Sequence, residues 1–474
     1  MLGTLVKDRS TAGIVALAIS LSVVTAAATV YKPGLAVGVA FVAVLIFARS
    51  LEARLAVWLV IRLLSFSGYI SLTYGEVALA LVVASALLQA VTSRRTLRLP
   101  ALPILWAAFA SLTLINLLYF GFPTESVTYD IEVVFENFGL LVMLANSENG
   151  PRQTNRAIWV VAFTILGIGL FSGLEYAAGH PLLTQLSSAR IAYLPTVERA
   201  TFQGTQRLGS ILFNPDWLAA AMALGCVLWV GLAIASRGPK RWLSVSCALV
   251  LLAVATTTLN RAVFVGVPAG LLALILINSK TRVRALYVFA IMAIPIATVT
   301  GSQLAQTALF RLQNLAPIDY LRVGAAQTAI RVIFANPLFG LGTGWERYLT
   351  KSESYRTSLQ TIPLAHPHNS FLEVGAMLGL PALAVVLALV AVPMWRSLIT
   401  RHATPGMAAP FAGVTVLAVM SLTVNVITLP FLGTLFWTLW WILTEQQQLL
   451  HRRPSPLVDT RQASQAPRTF ARAG

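Results

Sequence analysis

Charge is what this sequence has least of. Asp, Glu, Lys and Arg together make up 11% of 474 residues, against about 25% in a soluble globular domain. With 57% hydrophobic residues and a mean hydropathy of +0.76, the soluble class is excluded and the chain reads as an integral membrane protein. Acidic residues are scarcer than basic ones, 17 against 34, which leaves a net charge of +17. The basic residues fall in short clusters at the ends of apolar runs and not in one stripe, so they mark topology, and nucleic acid is not an expected partner. Cysteine is nearly absent. Cys226 and Cys247 lie in or beside apolar runs, which argues against a disulfide framework and against cysteine-based metal chemistry. No internal repeat and no matched pair of broken helices is visible, which weakens a transporter reading. The first apolar run lacks a convincing cleavage site and is followed by many others, so it is expected to be a retained helix.

What is present is a series of apolar runs. They occupy residues 12–31, 33–49, 75–92, 99–119, 127–145, 157–177, 217–236, 242–258, 262–278, 285–300, 371–395, 408–425 and 428–446, each near the length that a bilayer core of about 30 Å requires of a helix. Residues 55–72 are mostly apolar but contain Arg62; they fit either a span with a polar inward face or an amphipathic helix at the interface. The expected fold class is an all-α polytopic membrane protein with twelve to fourteen transmembrane helices and a helical extracytoplasmic loop domain. Residues 1–300 form transmembrane helices with an outer polar loop at 178–210, and 301–370 form a large outer loop. Residues 371–446 form the C-terminal transmembrane helices, and 447–474 a disordered basic tail. The loop at 301–370 is long for a structureless connection, and residues 320–334 are its best helix candidate.

Placing the N-terminus in the cytoplasm puts the short-loop clusters at Arg49 and Arg54, Arg94 to Arg98, Arg152 and Arg156, and Arg237 to Arg241 inside. The clusters at Lys280 to Arg284, Arg396 and Arg401, and Arg452 and Arg453 join them, a positive-inside pattern without exception. The outer side receives the loop around Arg207, the polar break Thr257-Thr258-Leu259-Asn260-Arg261, and the segment 301–370 with His366 and His368.

Arg207, Arg261, Arg322 and His368 thus come from four separated parts of the chain to one face. Arginine presents a fixed fork of donors suited to phosphate oxygens and stays charged in a partly apolar site. Asp130, Glu132, Glu136 and Asp216 are the candidate partners within the protein, and a phosphorylated lipid is the candidate external one. Each residue also has a plainer role: Arg261 snorkels to the interface, Arg322 is one solvated charge on a loop helix, and Asn369 or Ser370 caps the helix that follows. Capping accounts for Asn369 but not for the two histidines beside it, and histidine is the side chain best suited to accept a proton near neutral pH. Arg207 precedes Gly209 and Asn214-Pro215, a compact polar lead into a helix start that favours an anion. No metal-ligand pattern accompanies these residues, so neither a metal nor another cofactor is expected. The stretch Asn336 to Trp345 is a Gly-rich turn that brings backbone close to something, without the lysine of a phosphate-binding loop. His180 has no polar motif around it, and His402 and His451 fall on the inner side.

In these residues the chain resembles the bacterial O-antigen ligase and O-antigen polymerase family. The matching parts are Arg207 with Gly209 and Asn214-Pro215, the break before Arg261, Arg322 through the 336–344 stretch, and His366-Pro367-His368-Asn369 leading into a helix with Glu373 and Gly375. The resemblance covers roughly residues 200–390. It implies glycosyl transfer from undecaprenyl diphosphate to an acceptor hydroxyl, on lipid A-core or on a lipid-linked glycan, at the periplasmic face of the inner membrane. It implies that His368 is the catalytic histidine with His366 beside it as an orienting or acceptor-binding group. Arg207, Arg261 and Arg322 would bind the diphosphate, with Asn369 at the site. The sequence departs from the family pattern with Asn260 before the arginine, where serine is commoner, and with Asp216 where Asn is more usual. A polymerase is the alternative within the enzyme class. A lipid-linked glycan flippase would show polar residues along a path to both faces, and a scaffold would not explain the outer basic and histidine residues.

Overall fold

In hydrocarbon a backbone can satisfy its N–H and C=O groups only within the protein, and the apolar runs accordingly fold as helices. The computed structural model describes residues 50–66, 72–147, 151–179, 201–202, 205–206, 208, 210–212, 214–277, 317–400 and 405–451. The expected spans at 12–31, 33–49 and 285–300 lie outside these residues, as do Arg207, Gly209, His180 and the tail from 452.

The described helices are α1 (Leu51–Phe66), α2 (Leu72–Thr92), α3 (Pro103–Phe120), α4 (Thr124–Asp130), α5 (Glu136–Asn146) and α6 (Pro151–Ala178). A π-helical turn, Ile131–Phe135, joins α4 to α5. They continue with α7 (Pro215–Ala235), α8 (Pro239–Thr257), α9 (Ala262–Ile277), α10 (Pro317–Ala335) and α11 (Trp345–Lys351). Last come α12 (Ser370–Leu378), α13 (Leu380–Thr400), α14 (Pro405–Met420) and α15 (Pro430–His451). Five of the described helices are long and apolar enough to cross a membrane: α3, α6, α7, α8 and α13. Shorter apolar stretches lie in α2, α9 and α14. The protein is a multi-pass membrane protein. Among the described residues the helices are accompanied by a two-residue antiparallel pair, β1 (Thr201–Phe202) with β2 (Thr205–Gln206), inside the loop expected at 178–210.

Helix α7 is the centre of the bundle. Its Ala- and Gly-rich sequence keeps almost every residue buried against α8, α9, α14 and α6, because small side chains allow close approach of neighbouring helices in a membrane protein. Tryptophans fill a second region of the core, where Trp106, Trp437 and Trp440 meet edge to face at 4.7–6.3 Å.

Hydrogen bonds between helix ends divide the bundle into two poles. At one, Leu208 donates its N–H to Thr257 O at 3.3 Å, Ser370 to Ser421 O at 2.9 Å, and Asn116 Nδ2 to Phe339 O at 2.7 Å. This pole gathers the starts of α4, α7, α9, α12 and α15 and the ends of α3, α6, α8 and α14. At the opposite pole Arg98 and Asn146 bond reciprocally at 2.9 and 2.8 Å, and Arg54 Nη1 donates to Ser147 Oγ at 3.2 Å. The described short-loop basic clusters lie at helix ends of this second pole: Arg94 to Arg98 between α2 and α3, Arg152 and Arg156 in the first turns of α6, Arg237 to Arg241 across the link from α7 into α8, and Arg396 in the last turns of α13.

Of the two readings of residues 55–72, the described part, α1, has the polar inward face: it is packed among α2, α6 and α15, with Arg62 buried and paired with Glu136 at 2.5 Å. Two expectations change in detail. The apolar run 371–395 is broken, because Gly379 takes φ +89° and Pro381 in the next turn has no N–H to continue the ladder. Residue Gln447, where the tail was expected to begin, lies inside α15 and donates to Pro393 O and Ser397 Oγ at 2.8 and 2.6 Å.

The break before α13 explains the Gly-rich stretch. The carbonyls of Ala376 and Met377 at the end of α12 accept N–H bonds from Leu341 and Gly342 at 2.9 and 3.0 Å, and Leu380 N–H donates to Pro337 O at 2.7 Å. Gly340 sits at φ +62°, and a Cβ there would lie 2.5 Å from Ala376 O. The turn therefore approaches the end of a half-length helix, whose carbonyls would otherwise be orphaned in an apolar setting.

The Arg62–Glu136 pair gives a direct test of this packing. Arg62→Met alone is expected to destabilise the protein by about 3–5 kcal/mol, since it strands a buried carboxylate, whereas Arg62→Met with Glu136→Met recovers most of that loss. Unfolding in detergent with increasing denaturant measures both.

Candidate active site

The first half of the site is the start of α12. Asn369 is its N-cap: Oδ1 accepts from the N–H groups of Phe371 and Leu372, both at 3.0 Å, and Nδ2 donates to Leu422 O at 3.0 Å. Both lone pairs of the amide oxygen are thereby engaged. The side chain that was expected among the substrate-binding residues is given to fixing the helix start and tying it to the loop after α14. Ser370 adds a second tie by accepting Ile427 N–H at 3.0 Å.

Immediately before this cap, His368 adopts a left-handed backbone, φ +53°. Its N–H donates to His366 Nδ1 at 3.3 Å, and the two rings are 4.3 Å apart. A ring nitrogen that accepts a hydrogen bond is unprotonated, so this contact describes a neutral His366. His366 also lies against Trp345, with ring centroids 5.2 Å apart. Trp345 is held in turn by its indole N–H, which donates to Glu373 Oε1 at 2.9 Å. Glu373 is fully buried one turn into α12 and also accepts from Tyr129 Oη and Thr428 Oγ1, each at 2.9 Å. Four segments far apart in sequence therefore meet behind the histidine pair.

The second half contains the charged groups. Asp216, in the first turn of α7, is buried and ion-paired with Arg322 of α10. Its other carboxylate oxygen accepts from Asn260 Nδ2 at 2.7 Å, and its backbone N–H donates to Asn214 Oδ1 at 2.8 Å. Asn260 caps α9, accepting Ala262 N–H at 2.7 Å. Arg261 follows in the same turn and is half-buried. The two positions at which this chain departs from the family pattern, Asp216 and Asn260, are thus in contact with each other. Farther along this pole, Ser210 donates to the buried Glu175 at the end of α6.

The two halves act on each other electrostatically. Burial holds both histidines below the ordinary imidazole range, well below it for His366 and at about 4 for His368. The Arg322 guanidinium pushes both in the same direction, and Asp216 opposes it. At neutral pH His368 is an uncharged imidazole with a lone pair to offer, beside an arginine.

Of the residues expected at the site, Arg322, His366, His368 and Asn369 are brought to one pole together with Arg261; Arg207 lies outside the described residues. Glu136 pairs with Arg62 and not with Arg261 or Arg322, and Asp130 accepts from Thr343 Oγ1 at 2.9 Å. Sequence reasoning did not give Trp345 and Glu373 their place. Glu373 is the one acidic residue in the run 371–395, and a lone carboxyl in an apolar run is a usable signal.

Comparison with curated proteins finds no match to the sequence. Residues 246–387 match the family described as O-antigen ligase, and that segment contains Asn260, Arg261, Arg322, Trp345, His366, His368, Asn369 and Glu373. The histidine pair, the arginine break and the half-length helix that presents them all fall inside this segment, over which the chain is similar to the O-antigen ligase family.

Proposed function

We propose that the protein is a membrane glycosyltransferase that moves a glycan from undecaprenyl diphosphate to an acceptor hydroxyl on lipid A-core, at the periplasmic face of the bacterial inner membrane. The family match supports activity of the O-antigen ligase and polymerase type. The observation that carries the finer reading is the neutral His368 held within the field of the Arg322–Asp216 pair, at the pole opposite the short-loop basic clusters. Those clusters support a cytoplasmic assignment of their own pole and a periplasmic one for the site.

A diphosphate is already a good leaving group, so the site has two tasks: to stabilise the departing charge and to activate one hydroxyl. The acceptor oxygen attacks the anomeric carbon as its proton passes to the free imidazole nitrogen of His368. The bond from that carbon to the diphosphate oxygen breaks, and the electron pair leaves with the diphosphate. Arg322 and Arg261, with Arg207, receive the developing charge. Direct displacement inverts the anomeric centre. His366 orients His368 through the backbone bond to its Nδ1, and Asn369 fixes the helix start beneath them.

His368→Ala is expected to abolish most transfer while donor binding stays measurable; unchanged turnover in that variant would sink the assignment. The acceptor is decided by reconstituting the protein with a defined undecaprenyl diphosphate oligosaccharide and two acceptors. Product on lipid A-core supports ligation, extension of only a lipid-linked repeat makes the protein a polymerase, and translocation without a new glycosidic bond rejects both.

The pH profile supplies a further check. A group whose pKa is lowered keeps its unprotonated form as pH falls through the ordinary imidazole range. The acid limb of kcat/KM, set by the free enzyme, is therefore expected near pH 4, from the value of about 4 for His368. The limb of kcat is expected at higher pH, because a bound diphosphate offsets Arg322 and favours the imidazolium. Limbs near pH 6.5 in both profiles would contradict this picture of the site.

A further inference from the structure

We infer that Asp216 is a positioning residue of the donor site: it grips the Arg322 guanidinium by one edge so that the remaining edge faces the diphosphate. This rests on the donor proposed above and assigns a task to a carboxylate that would otherwise only repel that donor.

Asp216 is held from three directions. Its backbone N–H is bound by Asn214 Oδ1, one carboxylate oxygen by Asn260 Nδ2, and the other by Arg322 Nη2. Asn260 is itself fixed, its Oδ1 accepting Ala262 N–H at 2.7 Å and its N–H donating to Thr258 Oγ1 at 3.3 Å. The carboxylate is therefore anchored to the starts of two bundle helices, α7 and α9, while Arg322 is carried on α10. Arg322 keeps 24% of its side chain exposed, yet its Nε is buried and has no hydrogen-bond partner among the described residues. A guanidinium is a planar fork with donors on more than one edge. Here Nη2 is tied to a rigid acid while Nε is left unanswered and part of the side chain stays exposed, the arrangement that a second anion would complete. A plain structural ion pair would account for the Asp216 bond but not for the unmet Nε.

The test is titration of a short-chain polyprenyl diphosphate into the full-length protein in lipid nanodiscs, reading affinity and stoichiometry separately. Stoichiometry reports the folded fraction, and affinity reports the site. Asp216→Glu keeps the charge but displaces the guanidinium, and Asp216→Asn removes the charge. Both are expected to weaken binding by about tenfold to a hundredfold, as misplacement of a binding group does. In an Arg322→Gln background Asp216→Asn is expected to cause no further loss, since the residue it positions is gone. Asn260→Ala, which loosens Asp216 without touching its charge, is expected to give a smaller loss that also disappears in that background.

Unchanged or tighter binding by Asp216→Asn would overturn the inference, because the acid would then be indifferent to the anion or compete with it. A loss that multiplies with that of Arg322→Gln would also overturn it, by showing that Asp216 acts through the packing of α7 and α9. Failure of the unsubstituted protein to bind the polyprenyl diphosphate would count against the proposed donor itself, and so separates the two.

Discussion

Glu373 is a carboxyl group buried in a membrane protein and held by three neutral donors from three directions: a tyrosine of α4, the tryptophan that opens α11 and a threonine just before α15. Burying an acid is unfavourable unless its lone pairs are answered. Each donor that answers it also immobilises the segment that carries it. Tyr129 brings the helix after α3, Trp345 brings the Gly-rich loop, and Thr428 brings the link between the last two helices. The histidine pair inherits its position from this arrangement, because Trp345 is the wall on which His366 rests and His366 receives the backbone N–H of His368.

The scarcity of charge has a structural counterpart. Buried Arg62 is paired with Glu136, and part-buried Arg322 with Asp216. In a low-dielectric interior a stranded charge is expensive, and pairing is the condition of keeping one at all. The first pair joins α1 to α5 within the bundle. The second lies where a helix start, a helix cap and a loop helix meet, beside the only two adjacent histidines that share a motif. The same physical rule therefore gives a structural tie in one place and, in the other, the pair proposed above to receive an anion.

The length and apolarity of the runs made most described helices legible, and the expected helix at 320–334 is the core of α10, Pro317–Ala335. Alternation of the basic clusters likewise separated the two poles. The break at Gly379 was written in the sequence as Gly379-Leu380-Pro381 but hidden by unbroken apolarity on both sides. Gly340, Gly342 and Gly344 announced a close backbone approach. Its object, the end of α12, is a tertiary contact that no local pattern encodes. Asp216, Asn260 and Arg322 were each legible as polar residues facing one way, yet their pairings span 44 and 106 residues, and sequence order carries no information about which oxygen meets which nitrogen. Trp345 read as a loop aromatic because its partner, Glu373, lies 28 residues on, across the loop that separates them.

The π-helical turn at Ile131–Phe135 sits between two polar assignments that point to different places. Before it, Tyr129 and Asp130 meet Glu373 and Thr343; after it, Glu136 meets Arg62. Asn137 Nδ2 takes up the carbonyls of Val133 and Glu132 at 2.8 and 3.3 Å, which completes the wider turn. One residue more than a regular turn advances the helix by roughly 100°. The turn thus works as a phase shifter within one continuous rod: the half before it is clocked to the loop side of the site, and the half after it to the bundle. The offset lets one rod present Tyr129 and Asp130 to the loop side and Glu136 to its arginine at the same time.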